Sequence, residues 1–157
     1  TLSTPTLPFV VGFDGGAGDT GKLVADVRAL RDRYDFAADT VAAIGDIVST
    51  GEELLREADP NADPSDALIE ELGDLMNINH GLLSALGVSS RSLDTMVWAA
   101  REAGAEGAKL TGAGGGGCIV ALDRTDETRT SLRYTPGCED SFRAELATEG
   151  VRVEEDD

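Results

Sequence analysis

Five glycines fall within the six positions Gly112-Ala113-Gly114-Gly115-Gly116-Gly117. Glycine loses more conformational freedom on folding than any other residue, so such a run is justified where backbone must approach something closely or take positive φ. Successive N–H groups with no side chains over them form a concavity suited to an anion, phosphate above all. A tight hairpin whose strands need room would use the same residues. A second loop, Gly16-Ala17-Gly18-Asp19-Thr20-Gly21-Lys22, fits G-x-x-x-x-G-K after an apolar strand and before a helix. Ile119-Val120-Ala121-Leu122-Asp123 mimics the magnesium-binding strand end that accompanies that motif. Residue 23 is leucine, however, where the motif needs a hydroxyl for Mg²⁺, and the parallel sheet of such a fold finds too few strands here.

Three other polar or aromatic positions have ordinary explanations. Asn79 interrupts a leucine stripe, so it needs either a structural hydrogen-bond partner or a place facing a cleft. His80 reads as a satisfied, partly buried histidine rather than a catalyst, and no G-x-S-x-G elbow accompanies it. Trp98, beside Met96, Val97 and Ala100, reads as a packing residue. Cys118 and Cys138 make neither a disulfide framework nor a CxxC zinc pair.

The elements that must position these groups follow from periodicity. Leu7-Pro8-Phe9-Val10-Val11-Gly12-Phe13 is an apolar run entering a glycine-rich loop, which predicts a buried strand. Four helical stripes follow. The first carries Leu23, Val27, Leu30 and Tyr34; the second Ala37, Val41, Ile44, Val48 and Leu55. Asp63-Pro64 supplies a cap and a first-turn proline to the third, with Leu68, Leu72, Leu75, Asn79, Leu82 and Leu86. Ser89 and Ser90 precede the fourth, with Leu93, Met96, Val97 and Ala100, and Gly104 stops it. Ala108–Thr111 and Cys118–Leu122 read as short strands around the glycine run. Thr125 to Pro136 is ambiguous, Phe142 and Leu146 suggest a short helix, and Val151-Arg152-Val153 alternates as a closing strand. The order β, helical insert, β, β, α, β predicts an α+β sandwich. It is a ferredoxin-like split βαβ domain with extra helices in the first crossover and helices on one face of an antiparallel sheet.

At 157 residues and 41% hydrophobic content the chain suits a single globular domain or one lobe of a larger enzyme, spanning 1–157. No apolar run approaches the ~20 residues that cross a bilayer, and Thr1 to Pro8 lacks the basic start and apolar core of a signal peptide. The expectation is a cytoplasmic protein. Thirty acids face thirteen bases, giving a formal charge of −17, and Lys22 and Lys109 are the only lysines. Such a surface repels nucleic acid and anionic membranes.

The glycine segment Lys109-Leu110-Thr111-Gly112-Ala113-Gly114-Gly115-Gly116-Gly117-Cys118 resembles the third conserved motif of the GHMP kinases, in the wording typical of mevalonate kinases. Asn77-Ile78-Asn79-His80, Leu86-Gly87-Val88-Ser89 and Leu93-Asp94 resemble the helical segment preceding that motif. Leu7–Gly12 and Gly18-Asp19-Thr20-Gly21-Lys22-Leu23-Val24 resemble the strand and loop that open the family's C-terminal domain. The resemblance runs from about Leu7 to Val153. It implies ATP- and Mg²⁺-dependent phosphorylation of mevalonate in a cleft between two lobes. The family's P-x-x-x-G-L-G-S-S loop and catalytic aspartate belong to the N-terminal lobe, and neither is found here. The expectation is therefore a C-terminal lobe that is inert alone, with its N-terminal lobe as partner and a homodimer left open.

By the same resemblance, Gly112 to Gly117 would support the nucleotide's phosphate loop and approach the phosphates. Asp19 and Thr20 would face the mevalonate side, Lys109 and Asn79 are possible cleft residues, and no residue of the chain is a catalytic base or metal ligand. Alternatives are another small-molecule kinase of the family (galactokinase or homoserine kinase type) and a non-catalytic ferredoxin-like ligand-binding module.

Lysine depletion with excess acid also suits a salt-filled cytoplasm, as in halophilic archaea. At ~1 M salt the Debye length falls to about 3 Å and self-repulsion is screened. Unfolding should then require more urea in molar KCl than in dilute buffer, and a midpoint indifferent to salt would remove the halophile reading.

Overall fold

The computed structural model describes residues 3–146. Its elements are β1 (Phe9–Phe13), α1 (Thr20–Arg33), α2 (Asp35–Glu57), α3 (Asp66–Ala85), α4 (Arg91–Glu102), β2 (Gly107–Thr111), β3 (Cys118–Leu122), α5 (Glu127–Arg133) and β4 (Asp140–Ala144). The four strands form one sheet in the order β2-β3-β1-β4, with every neighbouring pair antiparallel. That order, with α1 to α4 all inside the first crossover, matches the expected α+β split βαβ architecture.

Local chemistry explains most helix ends. Asp19, Ser65 and Ser90 each accept a hydrogen bond from the backbone N–H three residues on, capping α1, α3 and α4. The third helix thus begins two residues after the expected proline start, because Ser65 rather than Asp63 is its cap. Gly104 follows α4 with φ +100°, a conformation that ends a helix readily only at glycine.

Two expectations are corrected. Phe142 lies in β4, where the expected short helix around Phe142 and Leu146 does not form. Its register against β1 turns Ser141 inward and leaves Phe142 on the outer side. The ambiguous stretch after Thr125 holds α5, whose buried residues are only Thr128 and Leu132. The closing strand expected at Val151-Arg152-Val153 lies outside the described residues.

The main core forms where β1, β2 and β3 turn Val10, Ala108, Leu110, Ile119 and Ala121 toward one side. There α4 contributes Leu93, Met96, Val97 and Ala100, and α5 contributes Leu132. Each of the larger side chains among these gains roughly 1.5–3 kcal/mol on burial, and each alanine methyl about 0.8 kcal/mol. A second cluster joins Leu7 and Leu122 to Leu68, Ile69 and Leu72 of α3, with Leu54 and Leu55 of α2 against it.

The expectation of helices on one face of the sheet is corrected, since α4 and α5 pack in one cluster and α3 in another. Helix α3 lies along the edge strand β2, so closely that a Cβ on Gly73 would stand 2.6 Å from the Glu106 carbonyl oxygen. Asn77 donates from Nδ2 to the Glu106 carbonyl and accepts the Ala108 N–H at Oδ1. His80 Nδ1 accepts the Leu110 N–H at 3.2 Å. An unpaired edge strand invites association with another chain; here helix side chains satisfy it instead.

Candidate functional site

The glycine hairpin lies between β2 and β3, and all five of its glycines have positive φ. Its backbone presses against the β1–α1 loop. A Cβ on Gly18 would lie 2.0 Å from the Gly114 carbonyl oxygen and 3.3 Å from the Gly115 Cα. Gly18 does not have positive φ, so only this close approach requires glycine there. On its other side the hairpin meets the α3–α4 connection, where Gly115 N–H donates to the Val88 carbonyl at 2.8 Å.

Two of the six hairpin amides are therefore bonded to neighbouring segments. Gly115 binds Val88, and Gly117 N–H donates to Asp14 Oδ1 at 2.7 Å. Among the described residues, the amides of Gly112, Ala113 and Gly116 make no hydrogen bond, while Gly114 is buried and its N–H closes the turn through Gly112 and Ala113. Three spare donors over a surface with almost no Cβ atoms form the kind of concavity that binds phosphate oxygens. Beside it, Leu23, Val24, Val27, Arg28, Arg31, Val88 and Ala113 line a small cavity of about 250 Å³.

Asp14, which sequence reasoning passed over, organises this junction. Its Oδ1 accepts from Gly16 N–H at 2.9 Å as well as from Gly117, and its Oδ2 accepts from Ser92 Oγ at 2.5 Å. Burial pushes its pKa up, but these donors together hold it below the ordinary 3.8. The Asp14-Gly15-Gly16 turn was a visible signal for the local bond. Nothing in the sequence marked the two distant ones.

The other expected site residues divide. Asp19 and Thr20 adjoin Gly18 and so stand beside the hairpin. Asp19 Oδ1 accepts from Lys22 N–H at 3.0 Å as the α1 cap, and Thr20 is exposed as the first helical residue. Lys109 is half-buried in β2. Its Nζ donates to the Leu110 carbonyl, and burial lowers its pKa. Asn79 is buried in α3 and makes no side-chain hydrogen bond among the described residues; the bonded asparagine is Asn77. His80 is the satisfied histidine expected, its Nε2 lying 3.2 Å from Asp94 Oδ1. Asp123, the supposed magnesium-binding strand end, is 1% exposed and accepts from Thr125 and Thr128. With the sheet antiparallel, the P-loop reading fails.

A larger cavity, about 900 Å³, lies elsewhere, between the outer side of α4 and the end of α5. None of the expected site residues lines it. Trp98 does, at 62% exposure with the Arg101 guanidinium over its ring, so its assignment as a packing residue is corrected. The glycine hairpin remains the candidate site, because its unbonded amides belong to backbone packed against the loop that carries Asp19 and Thr20. The described residues contain no group of three or more potential metal ligands and no helix long and apolar enough to cross a membrane.

The chain is similar to known proteins. Residues 65–134 match the family described as GHMP kinases C terminal. The chain is 43% identical over 153 residues to a mevalonate kinase of Thermococcus gammatolerans, covering 95% of this chain and 44% of that protein. It is 45% identical over 155 residues to a mevalonate kinase of Pyrococcus horikoshii, with the same coverage of 95% and 44%. The L. major mevalonate kinase, solved in complex with R-mevalonate, superposes with a TM-score of 0.75 at 30% identity, over 92% of this chain and 44% of that one. The chain thus spans less than half the length of the relatives it matches.

Proposed function

We propose, from the premise that this chain is the C-terminal domain of a GHMP kinase, that the protein it belongs to phosphorylates the primary hydroxyl of mevalonate with ATP. The observation that carries this is the glycine hairpin, with three spare amides, packed on the loop that holds Asp19 and Thr20.

The residues present fit an anionic phosphate chain. A side chain at Gly114 would put its Cβ 2.0 Å from the Val88 carbonyl oxygen, so the hairpin can keep this shape only while that position is bare. In the proposed reaction these amides approach the nucleotide's phosphates and offset charge that develops as the phosphoryl group moves. Phosphoryl transfer depends mainly on such positioning and charge stabilisation. Asp19 fixes the start of α1, and that places Thr20 at the mevalonate side of the cleft. Mg²⁺ supplies charge neutralisation of the phosphates when bound. In this reading the nucleotide and the N-terminal lobe would hold the ion. The reading includes a cytoplasmic, salt-adapted enzyme, which the charge of −17 supports.

The test is ADP release by the protein carrying both lobes, with R-mevalonate, ATP and Mg²⁺, beside the present chain alone. The two-lobed protein should turn over and the present chain should not. Release with galactose or homoserine but not mevalonate would overturn the substrate assignment. Robust turnover by the present chain would overturn the division of labour between lobes.

A further inference from the structure

Asp14 makes more connections than a turn requires. The bond to Gly16 is a local Asx turn, but Gly117 and Ser92 lie 103 and 78 residues away. The Asp14 N–H also donates to the Gly117 carbonyl at 2.9 Å. Asp14 and Gly117 stand where the β1–β3 ladder would next pair, one step beyond Phe13 and Cys118. The side chain therefore completes the ladder at the point where the hairpin glycines begin. Its second oxygen ties the same point to the first turn of α4 through a charge-assisted O–H···O bond of 2.5 Å.

We propose that Asp14 is a positioning residue for phosphoryl transfer. Its carboxylate locks the glycine hairpin to the β1–α1 loop and to α4, and so sets where the spare amides of Gly112, Ala113 and Gly116 stand relative to a nucleotide's phosphates. The inference rests on the kinase reading above. Asp14 offers no group to the phosphates, because its carboxylate is engaged by three donors on the inner side of the hairpin. Its action is through the Gly117 amide, the last of the loop, and through Ser92.

The experiment uses the two-lobed protein with Asp14→Ala, Asp14→Asn and Ser92→Ala. Steady-state kinetics are measured with ATP and mevalonate varied separately, and amide hydrogen exchange is followed across Gly112–Gly117. Asp14→Ala should lower kcat/KM for ATP by about 100-fold, the cost of a displacement near 1 Å at a reacting centre. KM for mevalonate should stay near the wild-type value. Asp14→Asn, which keeps the shape but one acceptor too few, should fall between. Ser92→Ala should raise KM for ATP, and adding it to Asp14→Ala should cost little more, since both remove one connection. Exchange of the two amides bonded across the junction, Gly115 and Gly117, should quicken in each variant.

If Asp14→Ala does not fold, Ser92→Ala and Asp14→Asn carry the same expectations. Wild-type kinetics for ATP in the folded variants would overturn the assignment while leaving the kinase reading intact. A rise in KM for mevalonate as large as that for ATP, in step with lost thermal stability, would overturn it in favour of a plain folding role. Unchanged exchange would overturn the clamp whatever the activity. A wild-type protein that releases no ADP with mevalonate, yet shows quickened exchange in the variants, would sink the kinase reading instead.

Discussion

Gly18→Ala in the two-lobed protein is expected to cut kcat/KM by about 100-fold or more, the usual result of shifting reactive geometry by ~1 Å. The backbone of Gly18 is not in the positive-φ region, so alanine itself fits the chain. In an exposed loop such a change normally stabilises by ~0.4–1 kcal/mol, through the unfolded state. Contact reverses the sign. The added methyl would sit 2.0 Å from the Gly114 carbonyl oxygen and 3.1 Å from its carbon, and both are backbone atoms that cannot swing away. The two loops must separate, and the hairpin amides move off the β1–α1 side. Gly45→Ala is the matched control, because a Cβ there meets nothing within 4 Å on helix α2. That variant should keep full activity and gain ~1 kcal/mol from helix propensity. Equal kinetics for the two variants would show that close packing of the loops has no part in turnover.

The same glycines show how far the sequence could be read. The segment from Lys109 to Cys118 identified the hairpin, because a glycine run flanked by β-like residues has few explanations, and the strands on either side followed. Helices α3 and α4 were legible because each buries a continuous stripe. Strand β4 was not. It is an edge strand of sequence Asp-Ser-Phe-Arg-Ala in which only Ser141 is buried, so it carries no apolar alternation, and its pairing is decided by β1. Helix α5 was obscure for a similar reason, with threonine and leucine its only buried positions.

Within the site, proximity in sequence was readable and long-range hydrogen bonding was not. Asp19 and Thr20 lie beside the hairpin because a strand–loop–helix segment put them there. Asp14 depends on partners in two other elements. Asn77 and Asn79 differ only in which side of α3 they occupy, and periodicity could not reveal that one side would meet the edge of a strand. Trp98 was judged by its size and neighbours, whereas its position on α4 turns it outward over Arg101.

Lowering the pH from about 7 to about 5 should destabilise the domain through His80, its only imidazole. Nδ1 accepts the Leu110 N–H and Nε2 faces Asp94 Oδ1, so the neutral ring with its proton on Nε2 satisfies both neighbours. Asp94 is itself held by Ser89 Oγ at 2.5 Å. Burial is the main force lowering the pKa of His80 below the ordinary 6.5. The positive charge of Arg101 adds to it, Lys109 contributes less, and Asp94 opposes. A base whose folded pKa is depressed leaves the unfolded chain binding more protons in the interval below 6.5. Its contribution is therefore complete above that value and is lost as the pH falls through the lowered pKa.

Protonation places a second N–H, on Nδ1, against the Leu110 N–H, so a buried donor loses its acceptor at a cost of about 1–3 kcal/mol. Urea midpoints across this range measure the effect. The depressed carboxylates Asp14 and Asp126 act only near and below 3.8, outside the window. His80→Phe should impose the loss at every pH. His80→Gln, whose amide oxygen can still accept from Leu110, should flatten the dependence, and an undiminished acid slope in that variant would place its origin elsewhere. Because Leu110 lies two residues before Gly112, the same protonation loosens the strand that delivers the hairpin. Amide exchange at Gly115 and Gly117 should therefore rise along with the loss of stability.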